Sequence, residues 1–425
     1  MTFLKQINLF MWGGPMMILL LGTHIYFTFR LGFVQRHIFR ALTLSVSNIS
    51  TLTTTLAATL GTGNIIGIGT AVYFGGPGAV FWCWITGLAG MATTYAEGYL
   101  SYQYKDREHH VGGPMILLRD VLKKKHLAVL YAAAICCAAF CVGAMTQSNA
   151  ITLITSSVSG IPSSVVGMIV VILTGLVIVR NVTIIESICQ KLVPAMGFFF
   201  LGGCFLLVVL GYEYLLPALS AIGKGAFSFQ SFGSGVLGYT VSRAIRFGVA
   251  RGLYTNEAGL GTAGIIAAGS HATDVSIAND TPRTKALVSM CATFFDTVIL
   301  CAVTGIAITI FLLQHPDLIP QIQSGQLTLA AFSTLPFYGM EIMFLSTIAF
   351  ALATLIGWSY IGHSAAFFLG KKTGVSLYKM FYLIFIFIGA VSSLDFIWEL
   401  SDLINLCLAL PCLYTLIRLR KNVCG

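Results

Sequence analysis

Charged side chains are scarce in this chain: Asp, Glu, Lys and Arg make up 9% of its 425 residues, where a soluble domain carries about 25%. Acidic residues are the rarer sign, 15 against 24 basic ones, for a net charge of +9. Such an excess can serve nucleic acid, but here the Lys and Arg fall in short loops between apolar runs, where they report topology. The chain has no P-loop, no Ser-His-Asp set and no paired carboxylates of the soluble kind. ATP-driven pumping and enzymatic turnover therefore have no visible machinery. The eleven cysteines are scattered singly, or paired as Cys136-Cys137 inside an apolar run, and none has metal-ligand spacing with a His. They read as small buried hydrophobes rather than a disulfide or metal scaffold. No small-residue cleavage pattern follows the first apolar run, residues 9–29, which is also long for a signal segment. It is expected to remain as a span.

Apolar length fills the chain instead. Hydrophobic residues make up 57%, and runs of roughly 18 or more recur from end to end. The runs are continuous rather than alternating, which argues against a β-barrel and for an all-α polytopic membrane protein. About eleven spans follow by length. A leading helix at 9–29 precedes ten core helices near 47–74, 79–104, 127–152, 163–179, 188–212, 235–270, 284–313, 341–369, 377–391 and 396–417. The loop before the first core helix holds Arg30, Arg36 and Arg40. Every second loop after it is basic: Lys105 and Lys123–Lys125, Arg180 and Lys191, Arg283 and Lys285, Lys371 and Lys372, then Arg418 and Arg420. The intervening loops are nearly bare, Lys224 excepted. By the positive-inside rule the N-terminus lies outside and the C-terminus in the cytoplasm. Arg243, Arg246 and Arg251 fit no loop and fall within the sixth core span.

Two of the spans carry helix-breaking sequence. Residues 53–74 are long enough to cross a bilayer, yet their middle reads Gly61-Thr62-Gly63-Asn64. Each glycine disfavours helix by about 1 kcal/mol relative to alanine. Broken backbone survives in a membrane only where protein or a polar cavity satisfies its N–H and C=O groups. Unwinding at this point would free carbonyls for a hard cation such as sodium and N–H groups for a carboxylate. Gly67 and Gly69, by contrast, read as a close helix-packing face. The second irregular segment, residues 248–264, holds five glycines in seventeen residues with Glu257 among them. Its match to G-x-G-x-x-G lacks a preceding strand, so dinucleotide binding is rejected. Two broken helices five positions apart fit a five-plus-five inverted repeat. The expected division is 1–46 for the leading helix and its loop, 47–222 for the first repeat and 223–425 for the second.

Isolated polar residues mark further candidates. Glu257 needs a partner inside a membrane, and Arg251 lies six residues before it; the two form either a structural ion pair or part of a substrate or gating site. Gln147 and Asn149 offer amide donors and acceptors, for a substrate or for neighbouring helices. Thr347, Thr354 and Trp358, spaced by seven and four residues, share one helix face. Asp296 and Glu97 are intramembrane acids, which stand as ion or proton ligands or as partners of a nearby Arg.

These stretches resemble the alanine or glycine:cation symporter family. The matching runs are LGTGNIIGIGTAVYFGGPGAVFWCWITGLAGM from Leu60, VGGPM from Val111, AIRFGVARGLYTNEAGLGTAG from Ala244, FFDT from Phe294 and ATLIGWSYIG from Ala353. The resemblance implies the LeuT fold with one extra leading helix, set in the cell (inner) membrane. It implies sodium-coupled uptake of a small neutral amino acid, alanine or glycine, with no cofactor beyond the coupling ion and no nucleic-acid partner. It also implies a substrate seat at Gly61, Thr62, Gly63 and Asn64, with Gln147 and Trp358 nearby. Sodium would lie between the carbonyls of Ala57 and Leu60 and the hydroxyl of Thr354. The chain departs from the family pattern at Thr262-Ala263-Gly264, where Ser-Ala-Pro is usual, and at Met145-Thr146-Gln147, where a longer Gly-Asn run is commoner. A proton-coupled transporter using Asp296 or Glu97, or else a channel or sensor, remains the competing expectation.

Overall fold

The computed structural model describes residues 2–179, 182–227, 241–269, 281–322 and 324–424. The start of the expected sixth core span, its end at Ser270 and the loop residue Arg180 lie outside the described residues.

Those residues fold almost wholly as helices. Among them, six helices are long and apolar enough to cross a membrane, and one bent pair makes up to seven. The expected eleven is larger for four reasons: Val241–Asn256 and Thr262–Gly269 are separate short helices, Gly339–Val391 counts once although two spans are expected in it, and two further helices miss on composition or length. α6 (Gly78–Gln103) has the length but buries Thr93, Thr94 and Glu97, and α10 (Ser163–Ile178) is apolar but has only 16 residues. Ahead of these, α1 (Thr2–Gly13) and α2 (Pro15–Arg30) form the leading pair, with the proline at a helix start, where its missing N–H costs nothing.

The bent pair is the Gly-Thr-Gly-Asn stretch. α4 (Ile49–Thr59) stops, and a π-type turn at Gly63–Gly67 leads into α5 (Ile68–Gly75). The two halves meet at 55°. Gly61 is required by close approach: a Cβ there would sit 2.9 Å from the Thr354 hydroxyl oxygen.

The other glycine-rich segment also breaks. α13 (Val241–Asn256) ends just before Glu257, and α14 (Thr262–Gly269) begins five residues beyond that glutamate. The connection carries positive φ at Glu257 (52°), Gly259 (91°) and Gly261 (87°), a region glycine enters without a Cβ penalty. Later, α15 (Pro282–Thr293) runs through a π-type segment, Phe294–Cys301, into α16 (Ala302–Gln314). Lys285, expected in a loop, is instead buried in α15, donating to Asn48 Oδ1 at 3.2 Å and Thr51 Oγ1 at 3.1 Å. α18 (Gly339–Val391) is divided by non-helical backbone at Gly370 and Lys371, where the sequence separates two spans.

Packing gathers these pieces. α6 lies against α2, α13, α14 and α15. α18 lies against α4, against α8 (Lys125–Ala138) and α9 (Thr146–Ser159), and against α10 and α11 (Val182–Leu210). α18 and α4 touch backbone to backbone: a Cβ on Gly357 would fall 2.6 Å from the Ala58 nitrogen. The last long helix, α19 (Leu394–Arg418), covers α8 and leans on α1 and α2.

Candidate functional site

The two breaks face one another. A Cβ on Gly63 would lie 3.1 Å from the Thr255 methyl and 3.2 Å from the Tyr254 ring. α18 closes a third side with Thr354 and Trp358, and the α8–α9 helix closes a fourth with Val142 and Gln147. Together they enclose a small cavity that Gly61 and Glu257 also line, with room for about one water molecule.

At the first break the freed backbone groups find side-chain partners. Thr62 N–H donates to Gln147 Oε1 at 3.3 Å, and Gln147 Nε2 donates to the Val142 carbonyl at 3.3 Å. Gly61 N–H is shared between the Thr59 carbonyl (2.8 Å) and Asn64 Oδ1 (3.2 Å). Thr354 lies within hydrogen-bond distance of the Leu60 carbonyl, at 3.1 Å, and of its own helix at Phe350, at 3.0 Å. A hydroxyl beside a carbonyl that has left its helix ladder presents two hard oxygens in one place.

The second break is held from outside. Gly259 N–H donates to Glu97 Oε1 at 2.6 Å, and Tyr131 donates its hydroxyl proton to the Leu260 carbonyl at 2.6 Å. Ala258 N–H is capped by Asn256 Oδ1 at 3.0 Å. Glu257 turns into the cavity, where Trp358 Nε1 donates to its Oε1 at 3.2 Å. Trp358 can lie there because Gly143 has no side chain: a Cβ on Gly143 would be 2.4 Å from Trp358 Cβ.

Of the residues singled out in the sequence, Gly61, Gly63, Gln147, Glu257, Thr354 and Trp358 line the cavity. Thr62 contributes its backbone N–H through Gln147. Asn64 does not line the cavity. It is fully buried and donates through Nδ2 to Asp296 Oδ1 at 2.7 Å, while Thr297 donates to Asp296 Oδ2 at 2.6 Å. Asp296 thus fastens the first break to the α15–α16 segment. Ala57 is buried beside Gly357, and Leu60 follows at the break.

The remaining candidates lie away from the cavity. Arg251 and Glu257 form no ion pair; the Arg251 guanidinium lies 4.1 Å from the Trp398 ring centre, and that ring stacks on Tyr254 at 5.1 Å. Asn149 binds the Gly389 and Ser392 carbonyls at 3.0 and 2.8 Å, a helix-to-helix role. Thr347 donates to its own helix at Met343. The sequence reading missed Tyr254 and Thr255, although both stand in the glycine-rich run just ahead of Glu257. Their proximity to a break was the available signal. Val142 and Gly143 carried no local signal.

The sodium:alanine symporter family model matches residues 1–425. The sodium/alanine symporter AgcS of Methanococcus maripaludis is 36% identical over 438 residues, covering 98% of this chain and 94% of its own. An uncharacterized transporter of Haemophilus influenzae is 37% identical over 439 residues, covering 99% and 94%. Among solved structures, a Na+-coupled sialic acid symporter in a substrate-bound outward-open state aligns with a TM-score of 0.54. Its identity is 12%, and the match covers 95% of this chain and 82% of that one. That likeness is one of fold.

Proposed function

The chain belongs to the sodium:alanine symporter family, and from that premise we propose that it takes up alanine or glycine together with sodium by alternating access. As a family member it is a multi-pass, sodium-coupled amino-acid transporter; the choice of cargo and the residue roles are the proposal. The observation that carries it is the meeting of two interrupted helices at one buried cavity.

The substrate carboxylate is received by N–H groups around Gly61–Gly63, at the start of the second half-helix, where the peptide dipoles favour an anion. The ammonium is received by carbonyls of the sixth-helix break and by Gln147. Trp358 limits the side chain, since an apolar wall discriminates chiefly by size. Sodium sits at the Leu60 and Ala57 carbonyls with the Thr354 hydroxyl, in line with the 3.1 Å approach of Thr354 to Leu60. A cavity with room for about one water must widen to admit an amino acid. Release of Thr62 and Val142 by Gln147 is the simplest widening.

The layout consistent with this role is a leading helix within 1–46 and two inverted repeats, 47–222 and 223–425, with N-terminus outside and C-terminus in the cytoplasm. Sodium favours the conformation that binds substrate, and its gradient gives the cycle direction. A proton-coupled reading has one observation in its favour, the buried Asp296 bonded to Asn64 beside the first break. Reconstituted protein separates the two: labelled alanine should accumulate under an inward sodium gradient at equal pH. Accumulation driven by external acid and indifferent to sodium would overturn sodium coupling.

A further inference from the structure

Among the described residues, Glu257 is the one carboxylate or basic side chain that lines the cavity. It is 4% exposed and sits at the C-terminal end of α13, where peptide dipoles already favour a cation. Its φ of 52° is a conformation most side chains avoid and glycine adopts freely. Glutamate at such a position stands there for its carboxylate. One oxygen is fixed by the Trp358 indole N–H, whereas Oε2 has no hydrogen-bond partner. The Thr262 hydroxyl lies close by. No described base forms an ion pair with it, and Arg251 is spent on Trp398. Glu257 therefore faces the cavity without a paired base, and an intramembrane carboxylate of this kind calls for a cation.

The geometry points to Glu257 as the counter-ion of the substrate's ammonium group. This assignment rests on the amino-acid uptake proposed above and replaces backbone carbonyls by a carboxylate as the main contact of the cargo's cationic end. The zwitterion then spans the two breaks: its carboxylate meets N–H groups of the first, its ammonium the Glu257 carboxylate of the second. Ligands that keep the size and carboxylate of alanine but lack the ammonium, such as lactate and propionate, leave Glu257 uncompensated and are rejected.

The test is competition against labelled alanine on the purified full chain in the presence of sodium. For the unaltered protein, lactate and propionate should compete more than about a hundredfold less well than alanine, because a site built for a polar group discriminates sharply against its absence. E257Q should lose at least about tenfold in alanine affinity and narrow that gap, while sodium alone still raises its melting temperature. The retained sodium response distinguishes lost recognition from failure to fold. If E257Q does not fold, the unaltered protein decides the matter, since lactate competing within about threefold of alanine overturns the assignment. E257Q binding alanine normally and still rejecting lactate also overturns it. So does E257Q that keeps alanine affinity but loses its response to external pH, which makes the carboxylate a proton carrier. Both of those results leave sodium-driven uptake standing. Absence of sodium-dependent alanine binding in the unaltered protein removes both proposals together.

Discussion

Gly143 shows how one missing side chain shapes the cavity. Trp358 lies so close that a methyl group at position 143 would fall 2.4 Å from its Cβ and 2.8 Å from its Cγ. Gly143→Ala should therefore push the indole away from Glu257. Overpacking of this kind costs about 1–3 kcal/mol. The expected outcome is a melting temperature lowered by several degrees and uptake reduced more than about tenfold, read by thermal denaturation and by labelled-alanine transport. Unchanged transport would mean that the indole's present position has no part in the site. Trp358 was legible as a bulky residue on the face shared with Thr354. Its need for Gly143 was not, because the two residues belong to different helices and meet only through packing. Asn64 teaches the complementary point. A polar residue in a broken span is visible in the sequence, but the direction of its side chain is not, and it turns to Asp296 rather than to the cavity.

At the level of helices, the gap between α13 and α14 is a supported structure rather than a slack one. Glu97 on α6 and Tyr131 on α8 take up the backbone groups of Gly259 and Leu260 that the break leaves over. Glu97→Ala strands a buried N–H, which costs about 1–3 kcal/mol, whereas Glu97→Gln keeps an oxygen acceptor. The alanine variant should lose thermal stability and raise the KM for alanine. The glutamine variant should recover most of both, because it restores the hydrogen bond without the charge. If the glutamine variant fails as badly as the alanine variant, Glu97 acts through its charge or proton rather than by positioning the break. The glycines of this segment announced an interruption, and their positive φ explains why glycine stands at 259 and 261. In the sequence Glu97 read as an ion or proton ligand or as the partner of an Arg; its bond to Gly259 was not legible, since that residue lies 162 positions away.

In the complete protein, the proposed coupling requires sodium and alanine to act on one conformational equilibrium. A ligand that binds the folded state stabilises it by RT ln(1 + [L]/Kd), about 2.7 kcal/mol at a hundredfold excess over Kd. Sodium and alanine together should raise the melting temperature by more than the sum of their separate shifts, and potassium should not substitute for sodium. Strictly additive shifts would show that the two ligands bind independently and would remove the basis for coupled transport. Composition and loop charge were enough to read a helical membrane protein from the chain, and glycine placement was enough to find both interruptions. Those are local properties: hydropathy, a missing Cβ and a φ preference act where they stand. Which groups the interruptions present to one another is not local. Glu257 could have faced Arg251 or the cavity; it faces the cavity, bonded to a Trp358 indole seated over Gly143, while Arg251 lies against Trp398. A helix's rotation and the exit angle after a break are set by contacts distant in sequence, so the ring of side chains around the cavity emerged only when the helices came together.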